Sequence, residues 1–177
     1  MMDILKFIGE SLWFFLPAFV GNQFPGFAVW IMARCNRSHW NVPVSERWLG
    51  KNKTWPAYPA AILGALITIY LQRRWNVNNI IDYNRSDIWL IAALFGIGIV
   101  AGDHLKSFFK RRIPIPPGER WWPFDQLDFV AGGLLAVSFI VGWKIWITAI
   151  VLVPVVLLFN PVVGGIGYQL GLRKVPY

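Results

Sequence analysis

Residues 88–102 read Ile88-Trp-Leu-Ile-Ala-Ala-Leu-Phe-Gly-Ile-Gly-Ile-Val-Ala-Gly102, fifteen positions without a charge, and the chain then turns to Asp103-His-Leu-Lys106-Ser-Phe-Phe-Lys110-Arg-Arg112. An uncharged run that ends in a cationic cluster is how a membrane-spanning helix meets water on its basic side. The pattern recurs along the sequence, with apolar runs at about 4–20, 55–71, 88–102, 129–142 and 145–159. At ~1.5 Å per residue such runs are shorter than a ~30 Å hydrocarbon core, so the helices are expected to reach into their polar flanks. Residues just past each run then lie at the level of a lipid headgroup. The reading is an all-α, polytopic membrane protein with about five transmembrane helices. It forms one membrane domain over residues 1–177, with basic cytoplasmic loops at 21–54 and 103–128 and a cytoplasmic tail at 160–177.

Composition supports this. Of 177 residues, 56% are hydrophobic and 15% charged, against roughly 25% charged in soluble domains, which excludes a disordered chain and argues against a water-soluble basic domain. The net charge of +8 is confined to the segments between apolar runs, and no nucleic-acid partner is expected. One cysteine and two histidines leave neither an intramolecular disulfide nor a zinc site of the Cys/His type. Lys6 precedes the first apolar stretch without a short core and cleavage site after it, so that segment is expected to be retained. Twelve Lys and Arg fall on the two loops and the tail, against five elsewhere. By the positive-inside rule the protein is expected in the cell membrane with its N-terminus outside and its C-terminus in the cytoplasm.

The stretch 26–33 is apolar as well. Pro17, Asn22, Gln23 and Pro25 stand before it, and prolines usually kink or end a helix, so it is expected to form an interfacial segment rather than prolong the first span. Trp13, Trp30, Trp55, Trp89, Trp143 and Trp146 lie near span ends, where such rings act as anchors. The loop 72–86, with Asn76, Asn78 and Asn79, is external on this topology and carries no recognisable constellation. Glu10 lies inside the first run but close to the outer face, where it reaches water.

The loop 103–128 holds the chemistry. Asp103 follows the third run directly, and Asp125 and Asp128 open the fourth at a spacing that puts both carboxylates on one helix face. Between them lie Lys106, Ser107, Lys110, Arg111 and Arg112. Acids in a first helical turn often do no more than satisfy free backbone N–H groups, and a basic loop often does no more than fix topology. Two acids three apart exceed what one cap needs, however, and a third arrives from another helix. Carboxylates beside a dense cationic run suit Mg²⁺ with a polyphosphate, the cation taking carboxylate and phosphate oxygens and the Lys and Arg groups the remaining charge. The pattern alone leaves a nucleotide or lipid-phosphate site, a positive-inside anchor and a partner-docking surface open. In the other loop, Gly50-Lys-Asn-Lys53-Thr54 offers a flexible backbone, two ammonium groups and a hydroxyl on the same membrane face, without the spacing of a P-loop. His104, beside a Lys/Arg run, reads as a surface or hydrogen-bonding residue.

Together these blocks resemble the CDP-archaeol synthase family, integral-membrane cytidylyltransferases related to phosphatidate cytidylyltransferases. The resemblance covers most of the chain. It rests on Gly102-Asp103 through Lys106-Ser107-Phe108 to Lys110-Arg111-Arg112, on Asp125-Gln126-Leu127-Asp128-Phe129 and on Leu49-Gly50-Lys51-Asn52-Lys53-Thr54-Trp55. The Pro17-Ala18 to Asn22 pattern and Tyr168-Gln169-Leu170-Gly171-Leu172 to Pro176 add to it. It implies attack of a lipid phosphate on the α-phosphorus of CTP, giving a CDP-lipid and pyrophosphate, with Mg²⁺ as cofactor. By position, Asp103, Asp125 and Asp128 would hold the metal and, with Lys106, form the catalytic set. Lys53, Thr54, Lys110 and Arg111 would hold phosphate, and Asn22, Gly50, Ser107 and Arg112 complete the substrate side. Whether the lipid is an archaeol-phosphate-like ether or a phosphatidate is not implied by the apolar spans. One departure stands out: where the family pattern continues Lys-Thr-Trp with Arg-Gly, this chain has Pro56-Ala57. Lysine does not replace the planar fork of an arginine, and Arg47 is the arginine nearest at hand to supply it.

Two rival readings make different demands. A CDP-alcohol phosphotransferase would need aspartates at wider spacings than Asp125-x-x-Asp128. A non-enzymatic transporter subunit or scaffold with anionic-lipid-binding loops would need the cations but not the acids.

Overall fold

A computed structural model of the chain describes residues 2–75, 80–113, 115, 119 and 121–171. Asn76, Asn78, Asn79, Arg120, Arg173, Lys174 and the end of the tail pattern, 172–176, lie outside the described residues. The described chain is helical, without a β-strand: α1 spans Met2–Arg34, α2 Ala57–Trp75, α3 Ile88–Lys110, α4 Phe124–Val141 and α5 Ala149–Gln169. A 3-10 stretch, Trp143–Thr148, leads into α5. As the short apolar runs required, α3, α4 and α5 each continue beyond their run into polar sequence. By length and composition, four described helical stretches can cross a membrane: Asp3–Arg34, Ile88–Lys110, Phe124–Val141 and Trp143–Gln169. The expectation of about five spans is met by five helices, but α2 is not among these four. It ends in Gln72-Arg73-Arg74 and packs between α1 and α3.

The expected break in the first segment does not occur. α1 runs unbroken for 33 residues through Pro17 and Pro25, roughly 50 Å at the α-helical rise, and so carries 26–33 as helix. At Pro17 a neighbouring helix supplies what the ring removes. Proline has no N–H, so Pro17 leaves the carbonyl four residues earlier, that of Trp13, without its helical donor. The side chain of Gln72 on α2, itself 2% exposed, donates from Nε2 to the Trp13 carbonyl at 2.6 Å. An orphan acceptor in an apolar bundle is tolerated when a neighbouring side chain satisfies it. At its far end α1 is finished by a stack of Phe27 on Trp30, 5.6 Å apart, with the Arg34 guanidinium 4.5 Å from the Trp30 ring centroid. Glu10 pairs loosely with Lys6 at 3.9 Å.

The core is an aromatic cluster, Phe14 and Phe15 of α1 against Phe95 of α3 and Phe129 of α4, extended by Ile69, Ile99, Leu134 and Leu152. α3 and α4 make the closest pair of the bundle. Gly98 and Gly102 on α3 face Gly132 on α4 so closely that a Cβ at Gly102 would overlap the Asp128 carbonyl, and one at Gly132 would lie 3.0 Å from the Gly102 Cα. Small residues one turn apart let two helix backbones touch where lipid supplies no hydrophobic drive. The consequence is local: the turn that carries Asp103 is pressed against the turn that carries Asp128.

Two stability predictions follow from these contacts. Gln72→Leu leaves the Trp13 carbonyl unpaired and is expected to cost on the order of 1–3 kcal/mol, read as a lower unfolding temperature in detergent. Adding Pro17→Ala restores an N–H at that position and should recover most of the loss, whereas additive losses would refute the account. Gly102→Val should prevent the α3/α4 approach and abolish folding, while Gly9→Ala, with nothing within 4 Å of the added carbon, should leave the unfolding temperature unchanged or higher.

Candidate active site

Helical periodicity puts Asp103, Lys106 and Lys110 on one face of α3, and Asp125 and Asp128 on one face of α4. The glycine crossing turns these faces toward each other. At their centre is not open space but an ammonium group. Lys106 Nζ lies 3.1 Å from Asp103 Oδ1, 3.1 Å from Asp125 Oδ1 and 2.7 Å from Asp128 Oδ2. Lys110 Nζ reaches the other side of Asp125, 3.0 Å from Oδ2, and also donates to the Glu119 carbonyl. From the α1–α2 loop, Lys53 Nζ contacts both oxygens of Asp103, at 2.7 and 2.5 Å. Three carboxylates and three ammonium groups thus form one charge-balanced cluster. It is largely buried, with the side chains of Lys106 and Lys110 13% and that of Asp128 7% exposed.

Backbone donors complete it. The Trp121 N–H donates to Asp125 Oδ2 at 2.5 Å and the Phe129 N–H to Asp128 Oδ1 at 2.6 Å. Asp125 therefore does satisfy a backbone donor, as a capping residue would, while its other oxygen faces Lys106. Asp125 and Asp128 each give one oxygen to a backbone N–H and turn the other to Lys106, so the acids are not consumed by capping.

The loop that brings Lys53 is itself built. The Val44 N–H donates to the Lys53 carbonyl at 2.7 Å and the Trp55 N–H to the Val42 carbonyl at 2.9 Å, closing 42–55 through an antiparallel bridge between Pro43 and Thr54. Thr54 is buried in it, 4% exposed. Gly50 sits at its tip with φ +90° and its α-carbon against the Arg111 guanidinium, a place where any side chain would be both strained and obstructed.

Not every expected residue joins the cluster. Ser107 spends its hydroxyl on the Asp103 carbonyl at 2.8 Å. Arg111 packs on Gly50, and Arg112 lies over the rings of Phe108 and Trp48, 3.2 and 4.9 Å from their centroids. Asn22 lines a separate cavity of about 330 Å³ between α1 and α5. Arg47 lies 5.4 Å over the ring of Trp48. Two features had no signal in the sequence. The Tyr58 hydroxyl and His104 Nδ1 are 3.0 Å apart, across 46 positions of chain, and Trp48 stacks on Phe108 with ring centroids 6.0 Å apart.

Beside the cluster an apolar cleft of about 580 Å³ runs between α3 and α4, from Lys106 and Asp128 past Gly98 and Leu135 to Phe139 and Trp146. The charged cluster thus adjoins a largely apolar surface. Among the described residues no three His, Cys, Asp or Glu side chains are already spaced as a metal cage, the shared point of the three aspartates being taken by Lys106.

Comparison with known proteins identifies the family. The family model CarS-like: CDP-archaeol synthase matches residues 2–177. The chain is 32% identical to the CDP-archaeol synthase of Methanospirillum hungatei, over 92% of this chain and 99% of that protein. It is 30% identical to that of Methanocaldococcus jannaschii, over 96% and 97%, and 27% identical to that of Archaeoglobus fulgidus, over 98% and 100%. No solved structure matches the chain. A match from end to end, together with relatives whose length it shares, means that the chain belongs to the CarS-like CDP-archaeol synthase family and is a membrane nucleotidyltransferase.

Proposed function

We propose that the chain transfers the cytidylyl group of CTP to an archaeol-phosphate-like lipid at the cytoplasmic face of the membrane, giving a CDP-lipid and pyrophosphate. The observation that carries this reading is the convergence of Asp103, Asp125 and Asp128 with Lys53, Lys106 and Lys110 at the mouth of an apolar cleft. In the reaction an anionic oxygen of the lipid phosphate attacks the α-phosphorus. The new P–O bond forms as the bond from the α-phosphorus to the α,β-bridging oxygen breaks, and pyrophosphate leaves with that electron pair. Since the nucleophile is already an anion, no strong base is needed, and positioning with charge stabilisation can carry the step.

The chain's residues supply both. Lys53, Lys106 and Lys110 are held and aimed by carboxylates, and each can exchange an aspartate for a phosphate oxygen. The lipid phosphate enters beside Lys106 while its tails lie along the cleft. The donor set fits a hard divalent cation, with three carboxylates facing one point and ammonium groups next to them for phosphate. Asp103, Asp125 and Asp128 would hold Mg²⁺, which when bound supplies a fixed positive charge beside the triphosphate oxygens. Lys106, which now fills that point, would turn to phosphate.

The decisive assay is release of pyrophosphate from radiolabelled CTP by purified protein given Mg²⁺ and either an isoprenoid-ether lipid phosphate or a phosphatidate. Product is expected with the ether lipid, and turnover with phosphatidate alone would reassign the lipid. Asp125→Asn should lower turnover at least ~10²-fold, in line with loss of a transition-state electrostatic contact, with the unfolding temperature retained. An unaffected rate would remove Asp125 from the catalytic set, and wild-type protein that releases no pyrophosphate with any lipid phosphate would favour a scaffold whose basic loops bind anionic lipid. Chelation of divalent ions should stop pyrophosphate release, and Mg²⁺ should restore it; turnover that survives chelation would remove the metal from the reading.

A further inference from the structure

α3 presents two stripes near its C-terminal end. One, Asp103, Lys106 and Lys110, builds the charged cluster. The other, His104, Phe108 and Arg111, follows the i, i+4, i+7 spacing of an adjacent face and holds the chain on either side of Lys53. Five residues before Lys53, Trp48 stacks on Phe108 with the Arg112 guanidinium laid over both rings. Five residues after it, Tyr58 meets His104 through a 3.0 Å hydrogen bond and an edge-to-face ring contact at 5.3 Å. His104 is 7% exposed, and its bond to Tyr58 is partly buried. The contacts between Tyr58 and His104 and between Trp48 and Phe108 do not use the charges that CTP would redistribute.

We propose that these two contacts, one within the loop at Trp48 and one at Tyr58 where the chain enters α2, form a clamp that keeps the 42–55 loop on α3 while the Lys53 ammonium leaves Asp103 for a phosphate of the nucleotide. This rests on the reading that Lys53 contacts the triphosphate. With the Lys53–Asp103 pair as the only tie, surrendering it to a ligand would free the loop and lose the orientation that makes one ammonium worth having. With the clamp, the backbone bonds between Val44 and Lys53 and between Trp55 and Val42 carry the fixed positions of Trp48 and Tyr58 to Lys53. Tyr58, His104 and Trp48 are positioning residues: they act on the nucleotide through Lys53.

The test is a pair of double-mutant cycles read by CTP binding rather than turnover, with full-length protein in detergent, Mg²⁺ in excess and radiolabelled CTP in equilibrium dialysis. Tyr58→Phe keeps the ring and removes the hydroxyl, and is expected to raise the Kd about 5–10-fold in the wild-type background through lost orientation. In a Lys53→Ala background, where no ammonium is left to position, it should change the Kd less than about 2-fold, since residues acting through one another are not additive. Trp48→Leu should show the same dependence on Lys53. His104→Gln retains a partner for the tyrosine hydroxyl and should bind CTP like wild type. An equal loss with and without Lys53, or no loss from either Tyr58→Phe or Trp48→Leu, would overturn the clamp. If Tyr58→Phe lowers the unfolding temperature, the Trp48→Leu cycle decides. Wild-type protein that binds no CTP would sink the nucleotide reading itself, and the clamp with it. CTP binding that is indifferent to Lys53→Ala would remove only the role of Lys53 and the clamp.

Discussion

The site depends on one steric fact, the contact between the backbones of α3 and α4 at Gly98, Gly102 and Gly132. Helices with ordinary side chains pack with axes some 8–10 Å apart. At that spacing a carboxylate at the start of α4 and one at the end of α3 would each find its own solvent or its own lysine. Removing the Cβ atoms brings Asp128 against the turn of Asp103, close enough for one ammonium to serve three acids. Packing chosen for closeness in an apolar bundle is thus also what concentrates negative charge at its polar end.

Concentrated charge has to be balanced. Three aspartates within reach of one point would repel strongly where water is scarce, and the chain answers with three lysines from two segments. Each lysine is satisfied by carboxylate, so the cluster is charge-balanced and largely buried. A polyphosphate and a divalent ion carry between them the two charge types needed to replace those pairings. Exchange of partners, rather than creation of buried charge, is the physical advantage of a mixed cluster over an acidic or basic one alone. It also explains why lysine serves here: a flexible point charge changes partner easily, whereas Arg111 and Arg112, planar and more weakly hydrated, are used for packing on a glycine and on rings.

Similar logic governs the rest of the bundle. Gln72 supplies a donor beneath the gap that Pro17 opens, and His104 holds Tyr58 beside the charged cluster.

Much of this protein is written locally. The uncharged run 88–102 with its cationic end marks a membrane helix, i, i+3 spacing puts Asp125 and Asp128 on one face, and Asp103 with Lys106 and Lys110 follows the same rule, because period and polarity are properties of adjacent residues. What Pro17 does is not local: proline rules predict a break, and the donor its ring removes is supplied by a glutamine 55 residues away. Nor does spacing reveal that Lys106 sits among all three acids, that Lys53 finds Asp103, or that Ser107, Arg111, Arg112 and Asn22 turn elsewhere. Those outcomes depend on how closely two helices approach and which way a loop is folded down on them, and that is decided by packing between segments far apart in the chain.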